Sequence, residues 1–195
     1  MAATMPASRQ RAPSDLPQRK GGFTLVELAL TLVLASILAS IAVPSMSAML
    51  ATQRSNSAVN ALFSVLNLAR NEAIKRNGRA VLCKSTDGAS CIHSGGWEQG
   101  WILFQDANNN TLRDPDETII QSQSAASNLT VRGNAPIARY VSYSASGTAK
   151  LTSGAFQAGT FTICQANGQG EDVRQVVLSA TGRVRVQKGS AGDCP

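Results

Sequence analysis

The chain has little of what most enzyme sites require. Its 195 residues include one histidine, His93, and no Cys-x-x-Cys pair, so no familiar zinc arrangement is available. No glycine-rich phosphate loop and no pair of carboxylates spaced for acid–base work stands out. His93 sits beside Cys91 in a Gly/Ser-rich stretch. A Cys/His nucleophile pair needs a free thiolate and an orienting group, and Cys91 is better used in a disulfide. There is no internal repeat and no sign of a second domain. A periplasmic enzyme on a membrane anchor is therefore the weakest of the functional classes considered.

Charge is scarce as well, and scarcest early. From Phe23 to Ala51 the only charged residue is Glu27. The formal net charge is +6, and half of it comes from Arg9, Arg11, Arg19 and Lys20 set against Asp15. The part from Phe23 onward is thus mildly basic, and any argument for a nucleic-acid partner must rest on local placement.

What is present begins with that early apolar run, long enough for the roughly 20 residues a membrane helix needs. A lone carboxylate in such a helix is costly without a partner, and is functional by default. The order of segments reverses that of a secretory signal peptide, because the basic stretch and glycines come first and the apolar run follows. Pro6, Pro13 and Pro17 suit a flexible leader, and the basic flank stays on the cytoplasmic side. Pro44 falls inside the helical pattern and should kink or locally melt it.

The stretch Lys20-Gly21-Gly22-Phe23-Thr24-Leu25-Val26-Glu27-Leu28 resembles the amino-terminal signature of type IV prepilins and type II secretion pseudopilins. The resemblance implies that a prepilin peptidase cuts after Gly22 and methylates Phe23, the new amino terminus. It also implies that Glu27 pairs with the amino terminus of a neighbouring subunit during assembly. Residues 1–22 would be the cleaved leader and 23–51 the transmembrane and filament-core helix, with the head periplasmic before incorporation into a filament. Expected partners are other major and minor pilins, the prepilin peptidase and the inner membrane.

Helical spacing continues past the membrane segment. Val59, Leu62, Phe63, Leu66, Ala69 and Ala73 recur every three or four residues, with Arg70, Glu72, Lys75 and Arg76 toward solvent. Asn77-Gly78 reads as a helix C-cap. Residues 52–78 would form the amphipathic second half of one helix, and 79–195 a head. There the period changes to two, with strands expected at 80–83, 97–104, 117–121, 129–132, 139–143, 159–164, 174–179 and 183–186. The fold class is α+β: a long helix packed on an antiparallel β-rich head.

Cys83, Cys91, Cys164 and Cys194 all follow the apolar segment, and an even count beyond a membrane reads as a disulfide framework. Three pairings are possible. The favoured one joins Cys83 to Cys91 across a short loop and Cys164 to Cys194, tying the carboxyl end to a strand. Free buried thiols are the alternative.

Within the head, Cys83, then Gly96-Trp97-Glu98-Gln99-Gly100-Trp101-Ile102-Leu103-Phe104-Gln105-Asp106, then Gly182-Arg183-Val184-Arg185, resemble the FimT/GspH group of minor pilins. Trp97 and Trp101 read as core and edge anchors of a sheet, with a ligand platform as the alternative.

Two motifs bear chemistry. Asp106, Asn108, Asn110, Asp114 and Glu117 occupy positions 1, 3, 5, 9 and 12 of a calcium-loop spacing. Thr111, however, replaces the glycine of the sharp turn, and a turn whose side chains cap their own backbone explains the same residues. Arg183 and Arg185 are two apart on an expected strand and so share a face. Lys188 follows, and Arg174 lies on the preceding strand. Clustered guanidinium groups make salt-sensitive, sequence-independent phosphate contacts. In FimT-type minor pilins of naturally competent bacteria, a Gly-Arg-x-Arg motif near the carboxyl end is associated with DNA binding, and Gly182, Arg183 and Arg185 match it. The resemblance thus implies a minor pilin that helps assembly and binds double-stranded DNA for natural transformation. The alternative is an H-type minor pseudopilin of a type II secretion system. A solvated, charge-protected edge strand explains the arginines without DNA; Glu171 and Asp172 would weaken the local field.

Overall fold

A computed structural model describes residues 22–166 and 173–194. Helix α1 spans Leu25–Lys75. Among the described residues eight strands follow: β1 (Arg79–Lys84), β2 (Gly100–Asp106), β3 (Ile119–Ser124), β4 (Leu129–Gly133), β5 (Tyr140–Tyr143), β6 (Gly159–Gln165), β7 (Arg174–Leu178) and β8 (Val184–Lys188). They form two antiparallel sheets, ordered β3-β2-β1-β5 and β4-β6-β7-β8. The chain divides into two compact units, one ending at Pro44 and one beginning at Ser45.

In the first unit the helix is set by a capping interaction. The Thr24 hydroxyl accepts the Glu27 backbone N–H at 3.2 Å, half of a capping box between N-cap and N3. The helix continues through Pro44 without local melting. No residue of Leu25–Val43 is buried, so this segment adds nothing to any core within the chain.

Among the described residues the second unit owns the entire core. The later half of α1 buries Val59, Leu62, Val65, Leu66, Ala69 and Ala73. Phe63, expected in this stripe, is 37% exposed. At 100° per residue Phe63 and Val65 flank the arc of 59, 62, 66, 69 and 73 on opposite sides, about 40° beyond its ends, and the core covers the Val65 side. The helix stops where the sequence says it should. Asn77 adopts φ +48°, the Gly78 N–H reaches the Ala73 carbonyl at 3.1 Å, and the Asn77 N–H reaches Ile74 at 3.2 Å. That is a Schellman ending with asparagine at the left-handed position.

Alternation along each strand sorts the two faces. Ala80, Leu82, Trp101, Leu103, Val141 and Tyr143 join the helix side, while Val81, Cys83, Ile102 and Phe104 form a smaller cluster on the other face. The second sheet contributes Val131, Phe161, Ile163, Val176 and Leu178 to the main core. Trp97 sits edge-on to Phe161, ring centres 5.1 Å apart, and donates its indole N–H to the Ile137 carbonyl at 3.2 Å. Residues 97–99 form a 3-10 turn rather than the start of a strand, because Gly100 turns with φ +110° and Glu98 is held elsewhere.

Both favoured disulfides are present, Cys83–Cys91 and Cys164–Cys194. The first draws the 85–96 loop over the smaller cluster. Asp87 organises that loop: its carboxylate accepts the Ser90 hydroxyl and the Ser90 and Ala89 amides, together with the Ser85 hydroxyl. These bonds, the Ser90 hydroxyl foremost, hold its pKa well below the ordinary carboxylate range. Lys84 points its ammonium at the His93 and Gly95 carbonyls, and burial pulls its pKa down. Every described core residue and both bridges lie beyond Ser45, so the unit from Ser45 carries its own core and its own covalent ties.

Candidate functional site

Three places in the molecule carry the residues singled out by sequence, and they differ sharply in geometry. The first is the start of α1. Phe23 is 83% exposed and precedes the helix, and Glu27 lies in its first turn. Among the described residues Glu27 makes no ion pair. Leu25–Val43 is 19 residues with mean hydropathy 2.3, long and apolar enough to cross a membrane. Residues 1–21, the rest of the expected leader, lie outside the described residues, so only Gly22 and Phe23 of the expected processing site are described.

The second is the β7–β8 hairpin. The Gly182 N–H donates to the Ser179 carbonyl at 2.9 Å, and Gly182 has φ +80°. A side chain there would also collide with the Gly147 carbonyl. Gly182 is therefore required by the turn, a three-residue loop ending in a left-handed glycine. Arg183 and Arg185 are both exposed on one face of the edge strand, Arg185 opposite Val177. Lys188 falls on the other face, directly opposite Arg174. The parity of the strand separates it from the arginine pair. Among the described residues neither Arg183, Arg185 nor Lys188 has an ion-pair partner. Glu171 and Asp172 lie outside the described residues. After β8 the chain turns through residues 191–193 to the Cys164–Cys194 bridge, and Ser190 and Asp193 cap one another.

The third is the loop after β2. Asp106 is buried and accepts the Asn110 and Thr111 amides at 3.1 and 3.0 Å. Glu117, also buried, accepts the Ala107 and Asp114 amides at 2.8 and 3.1 Å. Asp114 accepts the side-chain amides of Asn108 and Asn110 at 2.7 and 2.9 Å. The structure thus brings all five loop residues together, with each carboxylate already accepting amide donors. Thr111 reaches φ +62° without being glycine. Among the described residues, no three of His, Cys, Asp and Glu group as metal ligands.

Cys91 is in a disulfide and His93 is exposed, so they form no nucleophile pair. Sequence reasoning missed the link between the sheets. The Glu98 carboxylate takes two contacts from the Arg132 guanidinium, at 2.5 and 2.6 Å, and the Val131 amide at 2.9 Å. Burial pushes the Glu98 pKa up, but the Arg132 and Val131 bonds outweigh it and leave the carboxyl below its usual value.

Among solved structures, the type IV minor pilin FimU of Pseudomonas aeruginosa (strain PAO1) matches with a TM-score of 0.52 at 19% identity, covering 74% of this chain and 94% of that one. A second crystal form of FimU gives 0.50 at 21% identity, covering 72% and 96%. The minor pseudopilin EpsH from the type 2 secretion system of Vibrio cholerae gives 0.48 at 12%, covering 69% and 97%. The FimU likeness is one of fold. No curated protein sequence matches the chain. Residues 17–43 match the prokaryotic N-terminal methylation motif. Residues 58–182, well over half the chain, match the family of type II transport protein GspH. The chain belongs to that GspH family and is a minor pilin or pseudopilin.

Proposed function

We propose that the protein is a minor pilin of a type IV pilus, cleaved after Gly22 by a prepilin peptidase, held in the inner membrane by its apolar helix and then packed among other pilins. The observation that carries the reading is that no residue of Leu25–Val43 is covered by the rest of the chain. An apolar helix of that length needs lipid first and other helices afterwards. Glu27 supplies the specific element: a carboxylate at this depth calls for a cation, and the amino group exposed on Phe23 by cleavage of a neighbouring subunit is one. In cells, Glu27→Ala should leave cleavage intact, measured by the mass of the mature chain, and abolish recovery of the protein with sheared filaments. Normal incorporation of the variant would refute the role of Glu27.

The head contributes a second activity to this reading, contact with double-stranded DNA through Arg183 and Arg185. Its support is the exposure of both guanidinium groups on one face without an ion-pair partner among the described residues. Replacing both with Ala should weaken retardation of duplex DNA by the 45–195 head and lower the salt slope by about 2, one unit for each phosphate no longer neutralised. Gly182 serves the hairpin and Lys188 the opposite face. Unchanged retardation would remove DNA from the proposal.

The alternative reading, a type II secretion pseudopilin, is favoured by the GspH family match itself. Loss of extracellular hydrolases, with transformation intact, in a deletion strain would select it. For the 106–117 loop the proposal is a self-capped turn, supported by the amides that Asp106, Asp114 and Glu117 accept. A calcium site would require those donors to be released.

A further inference from the structure

The four outer strands of the two sheets are not protected alike. The β5 edge is sealed by Gln157, which is fully buried: it accepts the Ser142 amide at 2.9 Å and donates to the Pro136 and Tyr140 carbonyls. The β4 edge is held by Glu98, which accepts the Val131 amide. The β8 edge carries Arg185 and Lys188, charges that discourage strand pairing. The β3 edge has none of these devices. Its sequence, Ile119-Ile120-Gln121-Ser122-Gln123-Ser124, contains no charge and no proline, residues 121–124 are exposed, and among the described residues it bonds only to β2.

Where β3 ends, a cleft of about 320 Å³ opens between α1 and the 123–127 segment. Ala58, Ala61, Leu62 and Leu129 give it an apolar wall, and Trp101 lines it as well. Trp101 is 3% exposed, and the indole N–H of its neighbour Trp97 is satisfied by Ile137. Arg54 stands at the mouth, exposed and without an ion-pair partner among the described residues. The only carboxylate among the described lining residues, Glu98, is already neutralised by Arg132. The cleft therefore offers an apolar bed and one unmatched cation.

We propose that the β3 edge and this cleft together form a docking site for an extended segment of a partner protein, added as a fifth strand beside β3. One of its apolar side chains enters the cleft and an adjacent carboxylate meets Arg54. Strand addition supplies main-chain hydrogen bonds, and the side-chain pocket supplies selectivity. The cleft is large enough for one aromatic side chain and too small for a helix. The cation fixes the sign of the neighbouring residue.

The test uses the ¹⁵N-labelled 45–195 head and two blocked peptides that differ at one position, Ac-SVTFDVT-NH2 and Ac-SVTFKVT-NH2. The acidic peptide should shift the Trp101 indole N–H and the 121–124 amides, saturating below about 1 mM. The lysine peptide should bind about fivefold more weakly, the scale of an exposed ion pair gained or opposed. Arg54→Glu should invert that preference. Ala61→Phe, which fills the cleft, should abolish the shifts while its own spectrum shows an intact fold. Silence from both peptides, or unchanged binding by Ala61→Phe, would overturn the proposal. If 3-phenylpropionate alone reproduced the Trp101 shift at the same affinity, the cleft would be a small-acid pocket and the strand-docking inference would be wrong.

Discussion

The segment Leu25–Val43 and the head from Ser45 solve opposite problems with the same apolar residue types. In the head, Leu66, Leu103, Ile163 and Phe161 are fully buried against one another. In the first unit Leu28, Leu32, Ile37 and Ile41 are all more than half exposed. The head's hydrophobic pattern is written to be completed within the chain. That of the amino-terminal helix is completed only by lipid or by another subunit. Stability therefore resides in one region and assembly in the other.

Several substitutions test that division, beginning with the largest effect. Phe161→Ala removes a buried ring that meets Trp97 edge-on, and should cost the head about 3–5 kcal/mol in denaturant unfolding. Leu32→Ala in the first unit should leave the same curve unmoved. Replacing Cys164 and Cys194 together by Ala opens a bridge between positions 30 apart, and should cost about 3–4 kcal/mol by chain entropy. That would leave β8 and its arginines less firmly presented, so under the proposed DNA contact, retardation should fall together with stability.

A smaller effect is expected at the link between the sheets. Glu98→Gln removes the charge held by Arg132 but keeps an acceptor for Val131; with Arg132 42% exposed, about 1 kcal/mol is the scale. The pH dependence follows from the lowered pKa of Glu98. Its stabilising contribution is complete above the ordinary value of 4.5 and is lost as pH falls through the lower folded value. The wild-type head should lose stability in that acid window more steeply than Glu98→Gln, a comparison made by urea unfolding across the range. Smallest of all is calcium: titration of the head should release no heat, because the loop carboxylates already accept backbone and side-chain amides. A saturating heat signal would replace the turn reading with a cation site.

Much of this was legible from local pattern. Period two located all eight strands to within a few residues, and Asn77-Gly78 marked the end of the helix because a left-handed residue is a local requirement. Lys188 was grouped with Arg183 and Arg185 by nearness in sequence, although its odd spacing on the strand puts it on the other face. Other features depended on partners distant in sequence. Glu98 meets Arg132 34 residues away, and Gln157 closes an edge through Ser142, 15 residues back. Neither leaves a local signature, so neither the 3-10 turn at Trp97 nor the sealed β5 edge could be read beforehand. The exposure of Phe63 belongs here too: helical spacing names two possible arcs, and only the sheet beneath decides between them.

The most direct measurement of the central division is the unfolding free energy of the mature chain from Phe23 and of the 45–195 head, in the same detergent, followed by tryptophan fluorescence. Both tryptophans, Trp97 and Trp101, lie in the head core. The account predicts the same value for both proteins to within about 0.5 kcal/mol, the usual scatter for sites that do not interact. A loss of about 2 kcal/mol or more on removing residues 23–44 would mean that the apolar helix supports the head, and would contradict it.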